Sequence, residues 1–469
     1  MNDALNLPSA EFLERYDVVA PRYTSYPTAP VWTPTFGAEA YRDHLRSLAA
    51  AAGSTATGAR RTGSLYFHIP FCEHRCAFCA CNVIISKRQA VANPYVASLT
   101  REMALVREAF PLDLDIQQMH WGGGTPNYLT EEQFRQLVSA IRARFQFHPD
   151  AEISIEVDPR HTSPEQIALL RELGFNRLSF GVQDFDPRVQ AAIDRHQTVE
   201  QAESAADAAR KNGFLSVNFD LIYGLPYQTQ ATFAATLETV KRLSPDRIAL
   251  YNFAYLPARL KHQEKVDVEA LPRGVAKFDL FLQAVEGLTA AGYEYIGMDH
   301  FAKPQDDLAV AWRERTIQRN FMGYTTRAGH DLFSFGTSSI SLVGDAYAQN
   351  VKHLATFERE VAEGRLPIER GLKLSAEDLL RKRVISDLMC FGRCEKSAVE
   401  REFHIDFDRH FAAELQALAP VLADGLAVVT NQRVEVTALG QAMLRNVAVV
   451  FDAYLLQPNK PQTQFSRAV

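Results

Sequence analysis

Short apolar runs alternate, along the first half of the chain, with longer stretches whose apolar positions recur every three or four residues. The runs are SLYFHIP (Ser64 to Pro70), QQMHWGGG (Gln117 to Gly124), EISIEVDP (Glu152 to Pro159), RLSFGVQ (Arg177 to Gln183), SVNFDLIYG (Ser216 to Gly224) and RIALYNF (Arg247 to Phe253). Their β-branched and aromatic content predicts strands. Between them YVASLTREMALVREAF, TEEQFRQLVSAIRARF and SPEQIALLRELG carry helical periodicity. Thr130 with Gln133, and Ser163 with Gln166, have the spacing of capping boxes at two helix starts. Six strand-then-helix units in series predict parallel strands joined by right-handed crossovers, an α/β sheet or barrel covered by helices. Such folds gather reactive residues at the carboxyl ends of strands. Gly123 to Thr125, Glu156, Gln183 and Asp220 all fall late in their strand or just after it, and are expected on one rim.

The alternation weakens after YEYIGMDHFAKP and LFSFGTSSIS, and from about Ser375 the chain turns helical. The expected organisation is an N-terminal extension over residues 1–55, a barrel domain over 56–345, and a smaller α-rich domain with one β-hairpin over 346–469. A helix pair followed by a hairpin is compatible with a winged helix. The acidic residues mixed through this region favour a docking or lid domain over nucleic-acid contact.

With 469 residues, 47% hydrophobic and 23% charged, the composition is that of an ordinary globular protein. A formal net charge of −6 gives no general attraction to nucleic acid or anionic membranes, so an acidic ligand must meet locally placed arginines. MNDALNLPSAEFLERYD lacks the marks of a secretory signal, and no apolar run reaches bilayer length. The expectation is a cytoplasmic protein without a membrane or nucleic-acid partner. In a reducing compartment, clustered cysteines point to metal or redox chemistry.

Four of the six cysteines stand between Cys72 and Cys81, in CEHRCAFCACN. Cys72, Cys76 and Cys79 form C-x-x-x-C-x-x-C directly after the first predicted strand. Three thiolates so placed can wrap an iron–sulfur cluster and leave one iron of four open. Zinc stays an alternative, although Cys81 could complete its shell only through a tight bend. Gly122 to Gly124 are read as side-chain-free backbone that approaches a ligand and donates N–H bonds to it, or as a plain tight turn. Cys390 and Cys394, four apart in a helical stretch, are read as buried thiols rather than a second cluster or a disulfide. The 13 histidines form no metal-like group, and His68 and His120 stand at the tops of predicted strands.

The cysteine stretch with Phe78 inside it, followed by WGGGTP, resembles the radical S-adenosylmethionine superfamily. Cys81, with PRYTSYPTA, HIPFC, EVDPR, GVQDF, NFDLIYGLP, IGMDHFAKP, RNFMGYTT and GQAMLRN in that order, narrows the resemblance to the oxygen-independent coproporphyrinogen III oxidases. Ala80 stands where that family's motif has glycine. The resemblance implies a partial (β/α)6 barrel in which Cys72, Cys76 and Cys79 hold one 4Fe-4S cluster, with S-adenosylmethionine on the open iron. It implies that Tyr66, Gly123, Glu156 and Ile340 bind this first S-adenosylmethionine. A second molecule is implied at Phe78, Gly124, Thr125, Gln183, Arg195, Asp220 and Ala254. Packing, a surface arginine or a strand-end cap are the plain readings of these positions without it.

The implied reaction is oxidative decarboxylation of two propionates of coproporphyrinogen III to vinyl groups, through a 5′-deoxyadenosyl radical. The product is protoporphyrinogen IX, a precursor of haem. It requires a tetrapyrrole substrate and an external electron donor and acceptor, and is expected of a monomer. No general acid or base is nominated, with Cys81 an accessory candidate. Arg22, Arg319 and Arg327 are expected at the substrate's propionates. Alternatives are a haem chaperone on the same fold, a radical enzyme that methylates or opens a tetrapyrrole, and a zinc-dependent regulator acting on DNA.

Overall fold

The computed structural model describes residues 9–53, 61–455 and 465–467. Residues 1–8 of the expected N-terminal extension, and its expected end at residue 55, lie outside the described residues. All six predicted runs are strands: β1 (Arg61–Ile69), β2 (Leu114–Gly123), β3 (Gln146–Val157), β4 (Arg177–Gln183), β5 (Ser216–Tyr223) and β6 (Arg247–Asn252). Each pairs in parallel with the next. Helices α1 (Asn93–Ala109), α2 (Glu131–Arg142), α3 (Pro164–Glu172), α4 (Val199–Lys211) and α5 (Gln230–Leu243) supply the crossovers. The Thr130 capping box is complete at the start of α2. At Ser163 only half of it forms, because the Gln166 side chain turns instead to Asn127.

Further strands extend the sheet on both sides. They are β7 (Glu294–Gly297), β8 (His300–Ala302), β9 (Asp331–Phe335), β10 (Ile340–Val343), β11 (Ala346–Asn350) and β12 (Ile368–Lys373). Among the described residues this makes twelve strands in the order β12-β11-β10-β9-β1-β2-β3-β4-β5-β6-β8-β7. The barrel domain expected to end at 345 therefore continues, since β11 and β12 add antiparallel strands to the same sheet through Lys373. The α-rich region begins at helix α6 (Ala376–Phe391). Its expected hairpin gains a third strand: β13 (Arg393–Glu395), β14 (Ala427–Val429) and β15 (Arg433–Val436) pair in the order β13-β15-β14. Cys390 and Cys394 are buried in two different apolar clusters. Burial pushes the Cys390 thiol up to about 12, in keeping with a packing role.

Side chains alternate across the strands with a period of two. On β2, Met119 and Trp121 face the helices, and Trp121 stacks on Phe134 of α2 with ring centroids 5.6 Å apart. Gln118 and His120 face the other way. So do Ser154 and Glu156 of β3, Asn218 and Asp220 of β5, and Tyr251 of β6, all around one cavity of about 120 Å³. In a flat sheet, with strands roughly 4.8 Å apart, Gln118 and Tyr251 would stand roughly 19 Å from each other. The sheet is therefore curled, and its inner face is polar.

The floor of this interior is an ion network. Arg177 lies 2.9 Å from Glu152 and 3.7 Å from Asp306, and Arg247 Nε donates to Asp306 over 2.7 Å. Burial works to neutralise Glu152, but Arg177 and Arg247 prevail and hold its carboxyl below the usual range. Removing one member of such a set strands its partners in low dielectric. Arg177→Ala is expected to cost about 3–5 kcal/mol of unfolding free energy, measured by urea denaturation. A loss below about 1 kcal/mol would show that the network is not needed for folding.

Candidate active site

Strand β1 delivers the cysteine stretch to the mouth of the barrel. After Pro70 the chain leaves the sheet at Phe71–Cys72 and returns at Ile84–Ile85, where the two segments pair in parallel. The loop base is closed by Ile84 N–H to the Pro70 carbonyl (2.7 Å) and Ser86 N–H to the Cys72 carbonyl (2.9 Å). His68 Nε2 contacts the Asn82 carbonyl at 3.0 Å, and the Tyr95 hydroxyl donates to the His68 carbonyl over 2.7 Å. Across the loop, Gln263 Nε2 donates to the carbonyls of Phe78 (3.3 Å) and Ala254 (3.1 Å), while His262 Nε2 meets the Cys79 carbonyl at 2.7 Å.

The glycine run lies beside this loop because Gly123 pairs with Ile69 in register. Gly123 has φ +116°, and a Cβ there would stand 2.6 Å from the His68 ring. A Cβ on Gly124 would lie 2.7 Å from the Pro70 backbone, which cannot yield as a flexible side chain could. Of the N–H groups expected to face a ligand, those of Gly123 and Gly124 are engaged within the protein, as is that of the following Thr125. Gly123 donates to Glu156 (3.2 Å), Gly124 to the Ile69 carbonyl (2.9 Å) and Thr125 to the Phe71 carbonyl (2.9 Å). Glycine therefore contributes close approach here rather than free donors.

One cavity of about 430 Å³ opens over this rim. Cys72, Cys76, Cys79 and Cys81 line it, as do Phe78, Gly123, Gly124, Thr125, Glu156, Gln183, Arg195, Asp220 and Ala254. Two candidates stand back from it. Tyr66 lies behind, stacked against His120 at 6.0 Å and hydrogen-bonded to His68 Nδ1 at 3.2 Å. Ile340 packs with the cluster around Trp32 and Tyr347. Its carbonyl accepts the Ser334 hydroxyl (2.5 Å), and Ser334 pairs in register with Tyr66. Gln183 holds φ +69°, a left-handed backbone uncommon outside glycine, at a bulge between β4 and β5.

The three motif thiols have different surroundings. The Cys72 Sγ lies 3.2 Å from the Thr125 hydroxyl, and burial pushes its thiol up to about 12. Cys79 shares a hydrogen bond with Cys81, which favours the Cys79 thiolate. Cys76 faces cations: Arg195 Nη1 at 3.6 Å and Arg160 Nη2 at 3.9 Å from its sulfur. Asp158 joins both arginines, accepting from Arg160 Nη2 at 2.6 Å and Arg195 Nη1 at 3.2 Å. Burial would raise Asp158, but Arg195 and Arg160 outweigh it and hold the carboxyl near 2.

Glu156 and Asp220 diverge. Enclosure works to raise Glu156, but the hydrogen bond and charge of His120, with the Gly123 N–H, keep it below the usual carboxylate range. Enclosure and the neighbouring charge of Glu156 push Asp220 up to about 7, against hydrogen bonds from Asn218 and Ser179.

Asp158, Arg160 and Tyr251 also line the cavity and were not singled out from the sequence. EVDPR carried the first two, but without a chemical reason to separate them from a strand-end turn. Arg22 lies behind Tyr251, its guanidinium carbon 5.6 Å from the ring centre, and pairs with Asp299. Arg319 Nε donates to the Arg22 carbonyl over 3.1 Å. None of the three expected arginines lines the cavity itself: Arg22 lies in a crevice with Tyr223 and Arg445, and Arg319 shares another with Arg327 and His330.

Among the described residues no three His, Cys, Asp or Glu side chains surround a single ion. A four-iron cluster takes one thiolate per iron, so its ligands need not meet at a point, and three soft donors around one cavity suit it.

Residues 66–240 match the Radical SAM superfamily, and residues 374–443 match the HemN C-terminal domain. The chain is 43% identical over 459 residues to the oxygen-independent coproporphyrinogen III oxidase of Salmonella typhimurium, covering 97% of each chain. It is 42% identical over 457 residues to that of Escherichia coli, again covering 97% of each. A solved structure of coproporphyrinogen III oxidase from Escherichia coli, titled as a radical SAM enzyme, superimposes with a TM-score of 0.87 at 43% identity. The superposition covers 92% of this chain and 97% of that one.

The high position of Asp220 sets a pH dependence. Below its unfolded value of 3.8 the proton is bound in both states; between there and about 7 only the folded state keeps it. The stabilisation this provides is lost as pH rises through about 7. Asp220→Asn is expected to gain melting temperature relative to the unsubstituted protein between pH 5 and pH 8. A constant difference across that range would contradict the assignment.

Proposed function

The chain belongs to the oxygen-independent coproporphyrinogen III oxidases of the radical S-adenosylmethionine superfamily, and from that premise we propose which of its residues carry which part of the task. The protein is an oxidoreductase of haem biosynthesis. It converts propionate side chains of coproporphyrinogen III to vinyl groups by oxidative decarboxylation, giving protoporphyrinogen IX, with a 4Fe-4S cluster and S-adenosylmethionine as cofactors.

The observation that carries the residue assignment is the single cavity onto which Cys72, Cys76 and Cys79 open together with the strand ends. In this reading the three thiolates hold the cluster. Cluster and S-adenosylmethionine, when bound, supply the one-electron chemistry that side chains lack. The chain's own residues position and enclose. Glu156, kept ionised by His120, accepts hydrogen bonds from hydroxyl or amino groups of the first S-adenosylmethionine beside Gly123. Tyr66 backs this wall, and Ile340 acts through the Ser334 position that holds it.

A second S-adenosylmethionine is assigned to Phe78, Gly124, Thr125, Gln183, Arg195, Asp220 and Ala254. Its support is the division of the rim by chain origin: Gln183, Arg195, Asp220 and Ala254 come from β4 onward, whereas Tyr66 and Glu156 come from β1 and β3. Cys81, at the exposed edge, is an accessory to Cys79 rather than a ligand.

Substrate carboxylates are assigned to Arg22 and Arg319. Burial, then repulsion from Arg319 and Arg445, lowers Arg22 to about 9, so it remains a cation at neutral pH. Its place behind Tyr251, a residue of the cavity wall, supports this reading. No helix among the described residues is long and apolar enough to cross a membrane. We place the enzyme in the cytoplasm as a monomer, without nucleic acid, served by an external electron donor and acceptor.

The test is anaerobic reconstitution with coproporphyrinogen III, S-adenosylmethionine and a strong reductant, with vinyl product and 5′-deoxyadenosine as the expected result. Stable haem binding without decarboxylation would instead make the protein a chaperone. Cys76→Ser is expected to lose both iron and product, whereas Cys81→Ser keeps its iron; equal iron in both refutes the ligand assignment. Arg22→Ala is expected to raise KM for the tetrapyrrole about tenfold, the loss of one charge-assisted hydrogen bond. An unchanged KM removes Arg22 from the substrate site.

A further inference from the structure

The three motif thiols are not equivalent, and the difference is one of charge. Cys72 meets a neutral hydroxyl, and Cys79 shares a hydrogen bond with Cys81, the charges of Arg75 and Arg195 being weaker influences on it. Cys76 alone of the three has two guanidinium groups within hydrogen-bonding reach of its sulfur, at 3.6 and 3.9 Å.

These groups are built in rather than resting on the surface. The side chains of Asp158 and Arg195 are 6% and 7% exposed, and that of Arg160 is 14% exposed. Asp158 is fixed from behind, its N–H donating to Asn127 Oδ1 over 3.0 Å. Its carboxylate takes Arg160 through Nε at 3.0 Å and through the Arg160 backbone N–H at 3.0 Å. Arg195 is anchored at its other nitrogen by the Gly181 carbonyl. A Cβ on Gly181 would stand 3.2 Å from that nitrogen, so the absence of a side chain keeps the seat clear. Two cations and one anion leave a net positive charge against one sulfur.

Positive charge and N–H donors at a cluster sulfur favour the reduced state, which carries one more negative charge. We propose that Asp158, Arg160 and Arg195 form a charge bracket on Cys76 that sets the reduction potential of the cluster. The inference rests on the reading that Cys72, Cys76 and Cys79 hold that cluster. Arg160 and Asp158 are positioning residues in it, and the bracket has a sign that can be tested. Arg160→Gln removes a positive charge and Asp158→Asn a negative one, yet both break the same Asp158–Arg160 pair. A purely structural pair moves both variants in one direction, whereas a charge bracket moves them in opposite directions.

The experiment is an EPR-monitored redox titration of the full-length protein after anaerobic reconstitution, with iron and sulfide counted in every sample. Arg160→Gln is expected to lower the ratio of reduced to oxidised cluster about tenfold at a fixed potential, about 59 mV for one electron. Asp158→Asn is expected to raise it, and Arg160→Lys to restore most of the original value. Shifts of the same sign, or no shift at full iron content, overturn the bracket. If Asp158→Asn takes up no iron, the Gln and Lys variants of Arg160 decide: different potentials support the bracket and equal ones overturn it. If the unsubstituted protein takes up no iron, the ligand assignment fails first and the bracket falls with it.

Discussion

The register of the first strand pair sets everything at the mouth of the barrel. Ile69 opposite Gly123 places the cysteine loop and the glycine run side by side, and Tyr66 opposite His120 puts both rings behind them. Gly124 and Thr125 then close the seam by donating to Ile69 and Phe71. A slip of one residue would turn every side chain of β2 to the other face. Trp121 would enter the polar interior and His120 would leave it. The close approach also explains the glycines: the Pro70 backbone occupies the space that a side chain on residue 124 would need.

The same two-residue period makes the interior chemical rather than apolar. Parallel sheets are commonly buried in hydrocarbon on both faces. Here the helix-facing side follows that rule, while the inner side carries Gln118, Glu152, Arg177 and their neighbours, paired among themselves at the floor. Moving up the barrel the pairing loosens. Asp220 has hydrogen bonds but, among the described residues, no ion pair, and Glu156 leans on His120 and a backbone N–H. The floor pairs its charges among themselves, whereas at the mouth polar groups face an open cavity. Glu156, Asp220 and Tyr251 line both the interior cavity and the larger one above it.

Much of this was legible in the chain itself. The six strands and their parallel order followed from runs of apolar residues alternating with amphipathic helices, and the rim residues from their place at strand ends. The alternation in QMH, ISIE and VNFD equally separates a polar inner face from an apolar outer one. Other features depend on pairings between distant segments. The extension of the sheet past 345 requires β11 to meet β10, and Ile340 stands off the cavity because Trp32 and Tyr347 gather it elsewhere. The donors of the glycine run look free until Glu156 and the cysteine loop are brought against them. Asp158 and Arg160 were hidden because no local pattern shows which sulfur a guanidinium will reach.

The central claim is that three thiolates of one loop hold four irons and leave one corner for S-adenosylmethionine. Mössbauer spectroscopy of the ⁵⁷Fe-reconstituted protein, with and without S-adenosylmethionine, tests it most directly. The account predicts that one iron in four changes its isomer shift and quadrupole splitting when the ligand is added, while the other three stay as they were. Four equivalent irons that ignore S-adenosylmethionine, or a protein that assembles no cluster with Cys72, Cys76 and Cys79 intact, would contradict it.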